Sequence, residues 1–382
     1  MTAQQGIRPC GPGGTRGQVA RADPVQVNHA IAGSSPVNDK LTDEAYARAA
    51  LTYLAEPADV RLARLIRVHG AAVTLDAIKS GRALGTAHGN VGRAAGHAGQ
   101  GPGRPRLPPG RERQETRAAI EGWRARLPGL PSREELLAFQ ETGIRPITPG
   151  DPEWPGQLAD LGDTQPYALW LRGNADLRFS CLNSVAIVGT RAATAYGSYV
   201  AAELAASVAT RGWTVVSGAA FGIDAAAHRG ALAADGVTIA VLACGVDTPY
   251  PAAHTELLNA ITAQGVIASE WPPGQHVSRL RFLVRNRVIA ALATGTLVVE
   301  AAQRSGALDA ARHARDLHRR LMAVPGPVTS DLSAGCHQVI REWRGALVTS
   351  AADVIGHLAP AGAHSGAYPV AAGRFSGSPD RP

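Results

Sequence analysis

Six short apolar runs recur through the second half of the chain: "VAIVG" from Val185, "TVVSG" from Thr214, "TIAVLA" from Thr238, "VIASE" from Val266, "TLVVE" from Thr296 and "LMAVPG" from Leu321. Successive runs lie about 20 to 30 residues apart with helical segments between them, the spacing of βαβ units. The runs are uninterrupted rather than alternating, so both faces of each strand require cover. These constraints predict an α/β fold, an extended Rossmann-like parallel sheet with helices on both faces. In such a sheet ligands gather at the carboxyl ends of the strands, beside helix N-termini.

The rest of the chain divides by composition. Residues 1–40 are rich in Gly, Pro, Ser and Ala without apolar periodicity, which predicts disorder. From Leu41 the pattern turns helical, with Leu62, Leu65, Ile66, Val73 and Ile78 at helical spacing. This predicts a small helical N-terminal module over 41–144, interrupted at about 81–114 by a Gly/Pro/Arg-rich linker. Helical signals resume near Glu115, and one short strand is expected in the Pro-punctuated lead-in to the main sheet. The Rossmann-like domain is assigned to 145–358 and a disordered tail to 359–382.

The formal net charge of +7 invites a nucleic-acid partner. Lys40 and Lys79 are the only lysines, however, so the charge reflects arginine enrichment through the whole chain and only position can decide its meaning. No uncharged apolar run reaches the roughly 18 residues of a membrane span, and no signal-peptide pattern opens the chain, which points to a cytoplasmic protein. Four scattered cysteines form no CxxC and the histidines form no HExxH, so neither a metal nor a cofactor is expected.

Chemistry-bearing residues fall at the predicted strand ends. Gly189, Thr190 and Arg191 follow the first run: the glycine permits close approach of a ligand, the threonine donates, and the guanidinium suits phosphate oxygens. The turn lacks the second glycine of GxGxxG, which disfavours dinucleotide binding. "SGAAFGID" repeats the logic with Ser217, Gly218, Phe221 and Gly222, and Asp224 reads as a helix-capping residue. Ser217, Asp224 and His228 can be drawn as a hydrolytic triad, but no GxSxG elbow accompanies them. In "RLRFLVRNRVIAAL" arginines interleave with apolar residues, so a helix there is expected to bury one stripe and raise arginines at its edge, with Phe282 able to stack on a base. Glu300, Ser305 and Gly306 are further candidates for ligand contact or capping.

Together these segments resemble the DNA-processing protein A family, DprA or Smf. The matching stretches are "IVGTR", "VSGAAFGID", "TIAVLACGVDTPYP", "SEWPPG", "RFLVRNRVIAAL", "VVEAAQRSGAL" and "AVPGPVTSDLSAGCHQVIR", in the family's order from about residue 145 to 358. The resemblance implies a homodimeric, non-enzymatic protein that binds and protects single-stranded DNA and helps load the RecA recombinase, in natural transformation or recombination. It implies phosphate contact by Arg191, a DNA-facing turn at Ser217, Gly218 and Gly222, and DNA contact by Arg285, Asn286 and Arg287. Two departures stand out: Phe221 replaces a basic residue usual before the glycine of "GID", and "SGALDA" puts Asp309 where an apolar residue is usual. The competing reading is a nucleoside-monophosphate phosphoribohydrolase on a related fold; it requires a PGGxGTxxE loop, and "ATGTLVVEAAQRSG" lacks the PGG.

Overall fold

The computed structural model describes residues 41–82 and 109–359. The segments expected to be disordered, 1–40 and most of 359–382, lie outside the described residues, as does most of the linker. The chain enters through α1 (Asp43–Leu54), α2 (Val60–His69), α3 (Ala71–Ser80), α4 (Pro109–Arg124) and α5 (Arg133–Glu141), followed by β1 (Ile144–Ile147), β2 (Leu169–Gly173) and α6 (Leu177–Leu182). Thr42 and Asp59 cap α1 and α2, and Ser132 with Glu135 forms a capping box on α5, each satisfying amides that a helix start leaves unpaired. Helix α4 begins six residues before the expected Glu115, at a proline whose fixed φ and missing N–H suit a first helical position.

The main sheet then alternates as its spacing predicts: β3 (Ser184–Val188), α7 (Ala195–Ala209), β4 (Thr214–Ser217), α8 (Ile223–Ala233), β5 (Thr238–Leu242), α9 (Thr255–Gln264), β6 (Val266–Ser269), α10 (Arg279–Leu292), β7 (Gly295–Val298), α11 (Ala307–Asp316), β8 (Arg320–Ala323), α12 (Ala334–Arg341), β9 (Ala346–Leu347) and α13 (Ala351–Leu358). The nine strands of the described residues lie in the order β1-β2-β6-β5-β4-β3-β7-β8-β9. All pairs from β6 to β9 are parallel, whereas β1–β2 and β2–β6 are antiparallel. The lead-in thus supplies two strands rather than one, and they extend the sheet beyond β6.

Alternate residues of the central strands enter different cores. Val185 and Ile187 pack with Ala201, Leu204 and Val208 of α7, while Ala186 and Val188 pack with Val288, Ile289 and Leu292 of α10. Each such fully buried aliphatic side chain contributes about 1.5–3 kcal/mol, which is why the runs carry no alternating polar residue. The N-terminal helices dock on the β2–β6 side: Trp170 of β2 donates its indole N–H to Thr52 of α1 at 3.1 Å and meets Tyr53 and Phe139 edge-on at 5.9 Å. No helix among the described residues is long and apolar enough to cross a membrane.

Candidate functional site

Strand order reverses between β3 and β7, where a doubly wound sheet usually opens a ligand crevice. Here the chain itself fills that position. The Thr190 amide donates to the Glu300 carbonyl at 2.7 Å, and the buried Glu300 carboxylate accepts from the amide and hydroxyl of Thr194, the cap of α7, at 3.0 and 2.7 Å. A Cβ on Gly189 would strike Ile223 and lie 2.8 Å from the Glu300 carbonyl, and one on Gly197 would strike the Glu300 carboxylate. Gly189 therefore serves the close approach of chain to chain rather than of chain to ligand. Glu300 is a structural acceptor.

The second turn is packed against the first. Gly222 has φ +75° and abuts the carbonyls of Thr190 and Arg191, and Ile223 donates to the Thr190 carbonyl at 3.2 Å. Asp224, in the first turn of α8, is buried and accepts from the amides of Ala220 and Gly189, so one carboxylate ties both turns together. Burial raises its pKa, and Arg285 and those amides oppose the rise. Ser217 is fully buried and donates to the Ile187 carbonyl at 2.6 Å. His228 donates through Nδ1 to Thr238 Oγ1 at 2.7 Å, since the single hydroxyl proton of Thr238 goes to the Val215 carbonyl. Burial pulls the pKa of His228 down to about 3. No Ser–His–Asp relay exists.

Helix α10 is divided along its length, not around its circumference as the sequence suggested. Arg279, Leu280 and Leu283 are exposed, whereas residues 285–292 are buried throughout. Arg285 donates to the carbonyls of Gly218, at 2.8 Å, and Val241, so it joins the carboxyl ends of β4 and β5 from beneath. Burial lowers its pKa to about 10, with Asp224 acting in the opposite sense. A Cβ on Gly218 would strike this guanidinium, which accounts for that glycine. Asn286 donates to the Gly306 carbonyl and Asp309 carboxylate at 3.2 Å each, fixing the start of α11. Arg287 is paired with buried Glu270, one guanidinium nitrogen lying 2.7 Å from Oε1. The implied DNA contacts by Ser217, Gly218, Arg285, Asn286 and Arg287 therefore differ from the observed arrangement, in which these residues are enclosed and their polar groups engage the protein. Arg281 also turns inward, to Glu56 of the helical module at 2.6 Å and over the Trp271 ring.

What faces solvent above this floor is a cation–aromatic cluster. The exposed Arg191 guanidinium lies over Phe282 at 4.6 Å from the ring centre, and Phe282 meets Tyr250 at 5.6 Å. Phe221, about half exposed, meets His254 at 4.7 Å, and His254 donates to the carbonyl of Ala219, a left-handed residue with φ +54°. Thr190 is half-buried at the base of the cluster. Ser305 and Gly306 lie apart, at the β7 end of the same edge, where the Ser305 hydroxyl accepts from the Ala307 amide at 3.3 Å. Tyr250 is a member of the cluster that motif reasoning passes over. A signal for it exists in the sequence: Tyr250 lies in "ACGVDTPYP", the loop that leaves the carboxyl end of β5.

Fold and site together define an extended Rossmann-like protein with a solvent-facing cation–aromatic cluster at the carboxyl edge of its sheet. The chain belongs to the DNA recombination-mediator protein A family, whose model matches residues 145–359. It is 43% identical over 327 residues to the DNA processing protein DprA of Mycobacterium tuberculosis, covering 82% of this chain and 76% of that one. It is 39% identical over 203 residues to the DprA of Streptococcus pneumoniae, covering 53% and 70%. The X-ray structure of the S. pneumoniae protein superposes with a TM-score of 0.61 at 26% identity, over 84% of this chain and 99% of that one. The Helicobacter pylori DNA processing protein A, described for its single-stranded DNA binding mode, superposes with a TM-score of 0.50 at 26% identity, over 56% and 94%.

Proposed function

We propose that this chain binds single-stranded DNA as a non-enzymatic recombination mediator, protecting exposed or incoming strands and helping to load RecA, as a cytoplasmic homodimer. The observation that supports this reading most is the Arg191, Phe282 and Tyr250 cluster, a permanent cation beside partly exposed rings. Arg191 offers a fork for phosphate, while Phe282, Tyr250 and Phe221 offer faces on which unpaired bases stack for about 1–3 kcal/mol each. A duplex keeps its base faces covered, so this construction favours single strands. Thr190, Gly222, Ser305 and Gly306 border the same edge and are assigned supporting contacts. The single-strand binding of the H. pylori relative and the family's mediator role lead in the same direction.

Fluorescence anisotropy of a labelled single strand with unlabelled duplex as competitor tests the binding. Preference for the single strand is expected, and equal competition by duplex removes the reading. RecA filament formation on single strands, timed with and without the protein, tests loading: no acceleration removes that part. Sedimentation showing only monomer at every concentration removes the dimer.

A further inference from the structure

A carboxylate of the helical module reaches the base of the candidate site. Glu56, just beyond α1, accepts from the indole N–H of Trp271 at 3.0 Å and from the Arg281 guanidinium at 2.6 Å through Nη2 and 3.2 Å through Nε. Arg281 directs further donors to the same neighbourhood. Its Nη1 donates to the His276 carbonyl at 2.6 Å and its Nη2 to the Gln275 side chain at 3.2 Å, while the guanidinium lies over the Trp271 ring. Burial pushes the Glu56 carboxyl up, but the bonds from Arg281 and Trp271 outweigh it and hold the group below the usual carboxylate range. The Arg281 side chain is only 16% exposed, so it is a fixed clamp rather than a free cation. Two clefts, of about 520 and 710 Å³, flank the ion pair, and each is lined by both of its members. The pair thus ties module to sheet where the packing on either side is open.

What the clamp holds is the footing of the aromatic cluster. Arg281 precedes Phe282 in the first turn of α10, which Ser278 caps by accepting from the Arg281 amide at 3.4 Å. The segment that Arg281 grips, 271–278, also carries the loop of Tyr250: Gly245 donates to the Gln275 carbonyl at 2.9 Å, and Gly274 donates to the Asp247 carboxylate at 2.9 Å. These two loops lie so close that a Cβ on Gly245 would stand 2.8 Å from the Pro272 carbonyl. Phe282 and Tyr250, 5.6 Å apart, are therefore anchored on the same clamped segment. A ring fixed in advance binds a base more tightly than one that must be ordered on binding. Resting on the single-strand reading above, we propose that Glu56 is a positioning residue for single-stranded DNA: through Arg281 it fixes Phe282 and Tyr250 for stacking, which makes the helical module part of the DNA-binding platform. Masking of a phosphate-binding cation is the competing role for Glu56, and it predicts effects of opposite sign.

The test measures binding of the full-length protein, across a salt series, to a short oligothymidylate carrying one 2-aminopurine, whose fluorescence falls when it stacks on a ring. Glu56→Gln, Arg281→Met and the double variant are compared with the native protein at a temperature where melting curves show all of them folded. Loss of stacking on one base weakens binding by about 5- to 150-fold. A fall of about 5- to 30-fold with reduced quenching is expected for Glu56→Gln, at an unchanged salt slope because no phosphate contact is removed. The double variant is expected to be no weaker than Arg281→Met, since both changes break one linkage. Unchanged affinity and quenching with a lower melting temperature would make Glu56 a brace of the fold and overturn the proposal. Tighter binding with a slope raised by about 0.7 overturns it in favour of a masked cation. Additive losses in the double variant overturn the route through Arg281. If Arg281→Met does not fold, the affinity, quenching and slope of Glu56→Gln still decide. Phe282→Ala separates the two failures: if it leaves binding unchanged, the stacking reading fails and the proposal with it, whereas if it weakens binding and Glu56→Gln does not, the proposal alone fails.

Discussion

Replacing Arg285 with methionine separates a structural arginine from a ligand-binding one. Methionine keeps most of the side-chain length but leaves the carbonyls of Gly218 and Val241 without their donor and the buried Asp224 without its counter-charge. Each buried acceptor left unpaired costs about 1–3 kcal/mol if nothing replaces the donor. Two carbonyls lose their donor, so a loss of about 2–6 kcal/mol is expected. That is a large fraction of the roughly 5–15 kcal/mol that holds a typical domain. Urea unfolding followed by tryptophan fluorescence measures it as a lower midpoint at unchanged slope. A loss under about 1 kcal/mol would show Arg285 to be dispensable to the strand ends. Arg191→Ala provides the contrast: it removes an exposed cation–π contact of about 0.5–1 kcal/mol and little else.

Tyr250→Ala and Phe282→Ala should each weaken single-strand binding by about 1–3 kcal/mol, roughly 5- to 150-fold, with stability nearly unchanged for the more exposed Tyr250; anisotropy titration and thermal melting check both. Gly222→Ala should destabilise by about 1–3 kcal/mol, because φ of +75° strains a side-chain-bearing residue and the added Cβ meets the Thr190 carbonyl; a neutral effect on the melting temperature would show that the turn relaxes. His228 is held neutral, with a folded pKa near 3 against 6.5. The unfolded chain therefore binds the extra proton first, and this contribution to stability is intact above about pH 6.5 and lost as pH falls from there toward 3. His228→Gln should flatten that part of the stability profile, and an unaltered profile would exclude His228 as its source.

Six of the seven parallel strands were legible because each is an apolar run with Gly, Ser or Glu at or soon after its end, at regular spacing, and burial on both faces leaves little freedom in the pattern; β9, two residues long, carries no such run. The antiparallel addition of β1 and β2 was only half legible: "ALWLRG" reads as a strand, but "IRPI" contains a proline and a charge, and its pairing depends on β2 rather than on its own pattern. At the site, position was more legible than role. Gly189, Gly218 and Gly222 stand at the expected strand ends, yet what occupies the space of their absent side chains is Ile223, Arg285 and the Thr190 carbonyl, and sequence does not distinguish a neighbouring chain from a ligand. The same holds for Arg285 and Arg287, whose helix dives beneath the sheet after its first turn. Asp224 and Glu270 are the counter-charges that make their burial tolerable, and neither is near them in sequence.

On the proposed reading phosphate is held by the exposed Arg191 and not by the enclosed arginines of α10. Salt-series anisotropy on one short single strand, with the native protein, Arg191→Ala and Arg285→Gln compared at a temperature where all three are folded, decides between them. A slope reduced by about 0.7 in Arg191→Ala alone is the predicted result. A slope reduced in Arg285→Gln and retained in Arg191→Ala would contradict it.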